Sequence, residues 1–383
     1  MNFQSRLEAL RAAGRKRTLT PVDGPQGAEI VFGGRRVLNL ASNNYLGLAN
    51  HPTVVEAVRW GLEEWGFGAG AARLICGDAR VFHQLEERLA ALKGAEAALL
   101  FGSGYQCNLA LLQALAPEGT VFCDRLNHAS LIDGARLAGA SLKVYRHADT
   151  QGLAGMMGRY GAPLTIATDG VFSMDGDLAP LPELAALARR HHALLLVDDA
   201  HGTGVLGGGR GSVHAAGLTA EDVPVQMGTL GKALGGYGAF VAGSRELVDY
   251  LIHAARGFVF TTALPPAAAA GALAALDIVA SDEGAALRGR LRENRARLAA
   301  GLVALGWPVP AAPVPILPLV VGSAERAVAL SRALLERGFL APAVRPPTVP
   351  EGTSRLRLTV MSSHTPEQID RVLAALEECR DAA

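Results

Sequence analysis

The chain has 383 residues, half of them hydrophobic and 19% charged, enough to bury a large core and, at usual domain sizes, to form about two domains. Its 36 basic and 36 acidic residues cancel, so no overall field favours nucleic acid or an anionic membrane surface. Cys76, Cys107, Cys123 and Cys379 form no Cys-x-x-Cys pair and suggest no disulfide framework, which fits reduced thiols in a cytoplasmic enzyme.

In chain order, Met1-Asn2-Phe3-Gln4-Ser5-Arg6-Leu7 lacks the apolar core of a secretory signal. Leu7 and Leu10 predict a docking helix within an N-terminal arm, residues 1–44. A large unit follows over 45–280. In it, short apolar runs alternate with helical patterns: strands at Leu99–Phe101, Val121–Asp124, Leu142–Tyr145, Leu164–Thr168, Leu194–Asp198, Val225–Thr229 and Gly238–Ala242, and helices such as Ala129–Gly139 and Leu181–His191. Strands apolar on both faces, alternating with helices, predict an α/β fold around a mostly parallel, doubly covered sheet. Leu264–Ala280 is apolar enough to raise a membrane question. Its Pro265-Pro266 opening and Asp277 favour a buried helix.

Near residue 280 the pattern changes to a compact α+β unit over 281–383. It comprises a helix at Leu287–Leu305 ended by Gly306, a strand at Ile316–Val321 and a helix at Ala324–Arg337. Strands near Leu340–Val344 and at Arg355–Val360 follow, with a final helix at Pro366–Cys379. No internal repeat or low-complexity linker is present.

Four segments carry candidate chemistry. Leu194-Leu195-Leu196-Val197-Asp198-Asp199-Ala200-His201-Gly202 is a buried strand ending in a carboxylate, with a histidine in the turn beyond. Ligands of open α/β sheets sit outside such strand ends. The adjoining Gly202-Thr203-Gly204-Val205-Leu206-Gly207 matches a dinucleotide fingerprint in letters only, because Gly208-Gly209-Arg210-Gly211 cannot open the required helix. Thr229-Leu230-Gly231-Lys232-Ala233 places a lysine among small residues just after a strand. A P-loop is excluded by Gln226 and Ala233, whereas a desolvated lysine is a natural Schiff-base nucleophile. Phe101-Gly102-Ser103-Gly104-Tyr105-Gln106-Cys107-Asn108 reads as a strand, a glycine turn and a helix N-terminus, an anion cup suited to phosphate. Asp124-Arg125-Leu126-Asn127-His128-Ala129-Ser130 puts a histidine at a strand-to-helix junction. Each segment has an ordinary structural reading: a helix cap, a surface lysine, a common turn, a core histidine. Together they match what pyridoxal 5′-phosphate (PLP) needs: a lysine for its aldehyde, an aspartate for its pyridine nitrogen, a histidine and a phosphate cup.

In this order the motifs resemble the α-oxoamine synthase family of fold-type-I PLP enzymes over nearly the whole chain. Asn43-Asn44-Tyr45-Leu46-Gly47-Leu48, Gly170-Val171-Phe172-Ser173-Met174-Asp175-Gly176-Asp177, Asp198-Asp199-Ala200-His201-Gly202 and Thr229-Leu230-Gly231-Lys232 carry the resemblance. Arg345-Pro346-Pro347-Thr348-Val349-Pro350 is similar to the alanine-using, biotin-forming branch. The resemblance implies that Lys232 holds the cofactor as an imine, Asp198 pairs with the pyridinium, His201 contacts the phenolic oxygen and His128 stacks on the ring. It implies cofactor contacts from Gly104, Tyr105, Ser173 and Thr229. Asn43 and Arg357 would engage the amino acid, with Arg17, Arg345, Thr348 and His128 on the substrate side. The implied reaction joins L-alanine to a pimeloyl thioester, on CoA or acyl-carrier protein, with loss of CO₂ and thiol, in a homodimer whose site lies at the interface. Ala71-Ala72 and Asp169 depart from the family's usual Gly-Ser and Glu. The alternatives are a glycine-using synthase of the same family, an aminotransferase and a non-catalytic partner subunit. Arg345-Pro346-Pro347 argues against the first, the motif order against the second, and the presence of Lys232, Asp198 and His201 against the third.

Overall fold

Seven strands build the main sheet of the computed structural model, which describes residues 2–12 and 16–379. They are β1 (Ala97–Phe101), β2 (Thr120–Asp124), β3 (Ser141–Tyr145), β4 (Leu164–Asp169), β5 (Leu194–Asp198), β6 (Val225–Thr229) and β7 (Ala239–Gly243). Their order is β1-β7-β6-β5-β4-β2-β3. Strand β7 runs antiparallel to both neighbours, and the other pairs are parallel. All but the edge strand β3 are buried almost throughout, as apolar runs covered on both faces must be. One face packs on a cluster including Leu111, Leu131, Val248 and Phe258. The other packs on Phe172, Leu184, Leu187 and Val213.

The expected strands appear with ends shifted by two residues or fewer, β5 and β6 at the expected bounds. Strands β2, β4, β5 and β6 end on Asp124, Asp169, Asp198 and Thr229. A buried apolar strand stops where polar groups arrive, and parallel register brings these four ends to one edge, with Asp169 directly beside Asp198. Helix α1 (Gly104–Leu115) follows β1, and helix α2 (Ala129–Leu137) follows β2, so both helix N-termini open on that edge.

The helix over Pro266–Ala280 is largely buried, and no helix among the described residues is long and apolar enough to cross a membrane. The next helix, Asp282–Ala304, starts five residues before its expected position, because Ser281 caps it by accepting from Gly284 N–H. Strands β8 (Ile316–Gly322), β9 (Ala343–Val344) and β10 (Ser354–Thr359) form an antiparallel sheet in the order β8-β10-β9. The single strand expected near Leu340–Val344 is in fact two. Phe339–Leu340 pairs with Arg35–Asn39, and β9 pairs with β10. Pro342 lies between them and has no N–H to continue a ladder. The N-terminal helix, Phe3–Ala12, forms but does not dock on its own chain, since Phe3, Leu7 and Leu10 are all exposed. None of the described residues covers its apolar stripe, so the expected docking is not made within the described part of this chain.

Candidate active site

At the carboxyl edge of the main sheet, Asp198 is 5% exposed. Its Oδ2 accepts from Asn108 Nδ2 at 2.6 Å and its Oδ1 from Ala200 N–H at 3.0 Å. Asn108 sits on α1, one turn past the Ser103 cap, and also donates to Ser130 Oγ at 2.9 Å. Its Oδ1 is buried without a partner. Among the described residues, no lysine or arginine forms an ion pair with Asp198, so a buried carboxylate faces the site without a counter-cation. Asp169 lies beside it. Burial, and then the charge of Asp198, push the Asp169 carboxyl well above the usual carboxylate range. Asp169 also accepts from His128 N–H at 2.6 Å, which fixes the start of α2.

The loop after β6 brings Lys232 Nζ to 3.0 Å from His201 Nε2. Burial lowers the lysine's pKa, against the pull of Asp198 and Asp169. His201 is driven well below its ordinary value by burial, then by the charges of Lys232 and Arg357, so its ring is neutral at physiological pH. Gly235 closes this loop at φ 66°, and a Cβ there would lie 2.3 Å from Ala49 N. Only glycine lets the lysine loop press against the chain next to Tyr45.

From the smaller sheet, β10 sends Arg355 and Arg357 inward, 4% and 6% exposed, so neither is a solvated strand arginine. Alternation puts both on one face. Arg357 Nε donates to the Ser173 carbonyl at 2.6 Å, and its terminal N–H donates to Asn43 Oδ1 at 3.2 Å. Arg355 instead pairs with Asp175 and donates to the Thr353 carbonyl. The turn carrying Ser173 is pressed onto β8: Gly176 has φ 67°, and a Cβ there would stand 2.3 Å from the Ile316 carbonyl.

The Tyr45 hydroxyl, 3.1 Å from Asn43 Oδ1 and 2.7 Å from His201 Nδ1, joins Asn43, Ser173 and Arg357 to His201 and Lys232 in one hydrogen-bonded array, and the charge of Asp198 is felt by Lys232. His128 caps α2, its Nδ1 is 2.7 Å from Ser130 Oγ, and Tyr105 stands edge-on to it with ring centroids 6.4 Å apart. The N–H groups of Gly104 and Tyr105, the first two of α1, have no intrahelical partner and are the groups an anion would meet there. Thr229 turns its hydroxyl onto its own loop, donating to the Gly238 carbonyl and accepting from Gly231 N–H. Arg17, Arg345 and Thr348 lie apart from the array. Arg345 reaches only the Lys16 carbonyl, at 3.4 Å, and Thr348 N–H bonds the Arg345 carbonyl. Sequence reasoning passed over Asn108 and Tyr45 as site residues, although both stand inside motifs it singled out.

The residues fit PLP. A buried carboxylate lacking a cation suits a pyridinium, a desolvated lysine beside a neutral imidazole suits an aldehyde, and free helix amides suit a phosphate. Fold and site together define a fold-type-I PLP enzyme. The family model for aminotransferase class I and II matches residues 35–376. The 8-amino-7-oxononanoate synthase of Methylococcus capsulatus is 52% identical over 377 residues, covering 98% of this chain and 97% of that protein. Among solved structures, the serine palmitoyltransferase of Sphingomonas wittichii superposes with a TM-score of 0.93 at 32% identity, over 99% of this chain and 97% of that one. A further such transferase, solved with PLP, gives 0.92 at 30% identity with the same coverage. The chain belongs to the α-oxoamine synthase family, on its 8-amino-7-oxononanoate synthase branch.

Proposed function

We propose that the protein condenses L-alanine with a pimeloyl thioester, carried on CoA or acyl-carrier protein, releasing CO₂ and the free thiol to give 8-amino-7-oxononanoate. The observation that carries this reading is the buried Asp198 without a counter-cation beside the Lys232–His201 contact, in a chain 52% identical to a synthase of that name. Bound PLP supplies an electron sink for the amino acid's Cα. Lys232 Nζ would hold it covalently, Asp198 would keep its ring nitrogen protonated, and His201 and His128 would contact it. Ser173, Thr229 and the N–H groups of Gly104 and Tyr105 complete its seat.

Arg357 and Asn43 grip the alanine carboxylate, which sets which bond at Cα is weakened. Lys232, freed by the incoming amine, takes the Cα proton on Nζ, a task its depressed pKa suits. On the acyl side, Arg17, Arg345, Thr348 and His128 receive the thioester.

The active unit is a homodimer working in the cytoplasm. Phe67, Leu62 and Tyr237 line an apolar groove beside the lysine loop, and Ile75 and Phe260 are also exposed. Such contiguous apolar surface suits burial against a second copy. Cys76, Cys107, Cys123 and Cys379 are all free thiols, as a reducing compartment requires. A matrix of alanine, glycine and serine against acyl thioesters of several lengths, followed by thiol release and product mass, tests the reaction. Alanine with a pimeloyl thioester should be fastest, and a preference for glycine or serine would reject this branch. Sedimentation tests the dimer, and a monomer with full activity would remove it.

A further inference from the structure

Tyr45 stands between the two ends of the array and has no part in the reading above. Its side chain is fully buried, and its hydroxyl has one proton with two acceptors in reach: Asn43 Oδ1 at 3.1 Å and His201 Nδ1 at 2.7 Å. Asn43 Oδ1 only accepts, and it already takes an N–H of Arg357 at 3.2 Å. The imidazole does either. Its other nitrogen is the one 3.0 Å from Lys232 Nζ. Two arrangements satisfy these contacts. With Lys232 an ammonium, Nζ donates to Nε2, the ring proton sits on Nδ1 and goes to the Tyr45 oxygen, and Tyr45 donates to Asn43. With Lys232 a neutral amine, Nε2–H donates to the Nζ lone pair, Nδ1 accepts from Tyr45, and Asn43 is left to Arg357. Between them, one proton passes from Nζ to solvent, the ring proton of His201 moves from Nδ1 to Nε2 and one hydroxyl rotates.

We infer that, where His201 Nε2 faces Lys232 and not the cofactor, Tyr45 is a positioning residue that couples the Asn43–Arg357 end of the site to the proton on Lys232, through the tautomer of His201. The inference rests on the reading of Asn43 and Arg357 as the carboxylate grip. A carboxylate bound there draws N–H groups from Arg357, which frees Asn43 Oδ1 to accept from Tyr45. That favours the first arrangement, in which Lys232 keeps a proton it has taken. Burial raises the Tyr45 phenol above its ordinary value, so it remains a donor, and His201 stays neutral, so its tautomer is a real choice. The other charges felt by Lys232 are Asp198 and Asp169, which favour its ammonium, and Arg357, which opposes it; His128 faces His201. All are the same in the native protein and in Tyr45→Phe, so they cannot produce a difference between the two.

The test uses the full-length protein with cofactor removed and propionate as the carboxylate probe. Competitive acetylation with peptide mass mapping reads the amine reactivity of Lys232 against pH. Nitrogen-15 spectra of histidine-labelled protein, assigned with His201→Gln, read the ring tautomer. In the native sequence, propionate should lower Lys232 reactivity, and below the lysine's titration His201 should carry its proton on Nδ1. In Tyr45→Phe the through-space effect of propionate persists, but a further factor of about five, what one ordinary hydrogen bond is worth, should vanish. Equal propionate effects in both proteins overturn the coupling. So does a native His201 protonated on Nε2 below that titration, a result that needs no variant to fold. A native protein that calorimetry shows not to bind propionate overturns the carboxylate grip itself, and the coupling with it.

Discussion

Two buried lysine–aspartate sets lie on either side of the turn after β5, and they are built to opposite ends. Lys93 and Asp199 have fully buried side chains. Lys93 Nζ donates to Asp199 Oδ2 at 2.6 Å, Thr203 Oγ1 at 2.8 Å and the Arg210 carbonyl at 2.9 Å, and Ser212 N–H donates to Asp199 at 3.0 Å. Every proton and most lone pairs are spent inside the protein. Asp198 is nearly as buried and Lys232 partly so, yet among the described residues Lys232 has one imidazole neighbour, Asp198 has no ion pair, and Asn108 Oδ1 has no partner. Adjacent aspartates in one motif thus serve different ends. A saturated pair locks the turn, whereas an unsaturated one keeps its bonding capacity for a ligand.

Exchanging the two lysines should break this contrast most visibly. Lys232→Ala should abolish the visible absorbance of attached PLP and nearly all turnover, with the urea-unfolding midpoint of the cofactor-free protein unchanged or raised. Borohydride fixation followed by peptide mapping should mark Lys232 in the native protein, and a mark on another lysine would reject it. Lys93→Met should instead leave Asp199 charged and unpaired, costing about 3–5 kcal/mol of stability in the same urea measurement.

The aspartates sharpen the comparison at the level of chemistry. Asp198→Asn should retain some PLP but slow exchange of the alanine Cα proton with deuterated water, read by proton NMR. Asp199→Asn should be the less stable of the two, with exchange in its folded fraction close to native. The reverse pattern would mean that the two roles are swapped.

A smaller effect separates the two arginines of β10. Arg357→Lys loses a planar fork and should weaken alanine binding about tenfold to a hundredfold, with the spectrum of the alanine-free enzyme unchanged. Arg355→Lys, whose partner is Asp175, should do less. A spectral titration with alanine decides between them.

The smallest effect concerns a half-buried charge, which neither set contains. His147 lies 2.9 Å from Asp124 and 2.7 Å from Asp177, tying β2 to the turn that carries Ser173. Although burial opposes the charged ring, these two carboxylates raise its pKa from 6.5 to about 10. The folded state therefore holds a proton that the unfolded chain releases above 6.5. The contribution is complete below that pH and is lost as pH rises toward about 10. The gap in urea midpoint between native protein and His147→Gln should be widest near pH 6 and should narrow through that window.

Much of this was legible in the chain. Apolar runs such as Leu194–Asp198 and Val225–Thr229 marked the strands at their observed bounds, because a strand buried on both faces must be apolar along its whole length. Lys232, Asp198 and His201 stood in local motifs whose turns and strand ends the structure reproduces. Less legible was the split at Pro342, where two short strands find partners far apart in sequence, Arg35–Asn39 and β10. The N-terminal helix was legible as a helix but not as an undocked one, since periodicity records an apolar stripe and not what covers it.

By itself, then, the sequence determined the α/β class, the mostly parallel sheet and the residues around which a PLP site is built, because periodicity and turn chemistry act within a few residues. The strand end already pointed to Asp198; only the tertiary structure showed what occupies Asp199, since its partner Lys93 lies 106 positions away. It likewise decided that Arg357 meets Asn43 across 314 positions while Arg355 turns to Asp175. It also decided that one buried tyrosine hydroxyl joins the two ends of the array. Such choices depend on which donors and acceptors share a desolvated space, and a linear pattern does not encode that.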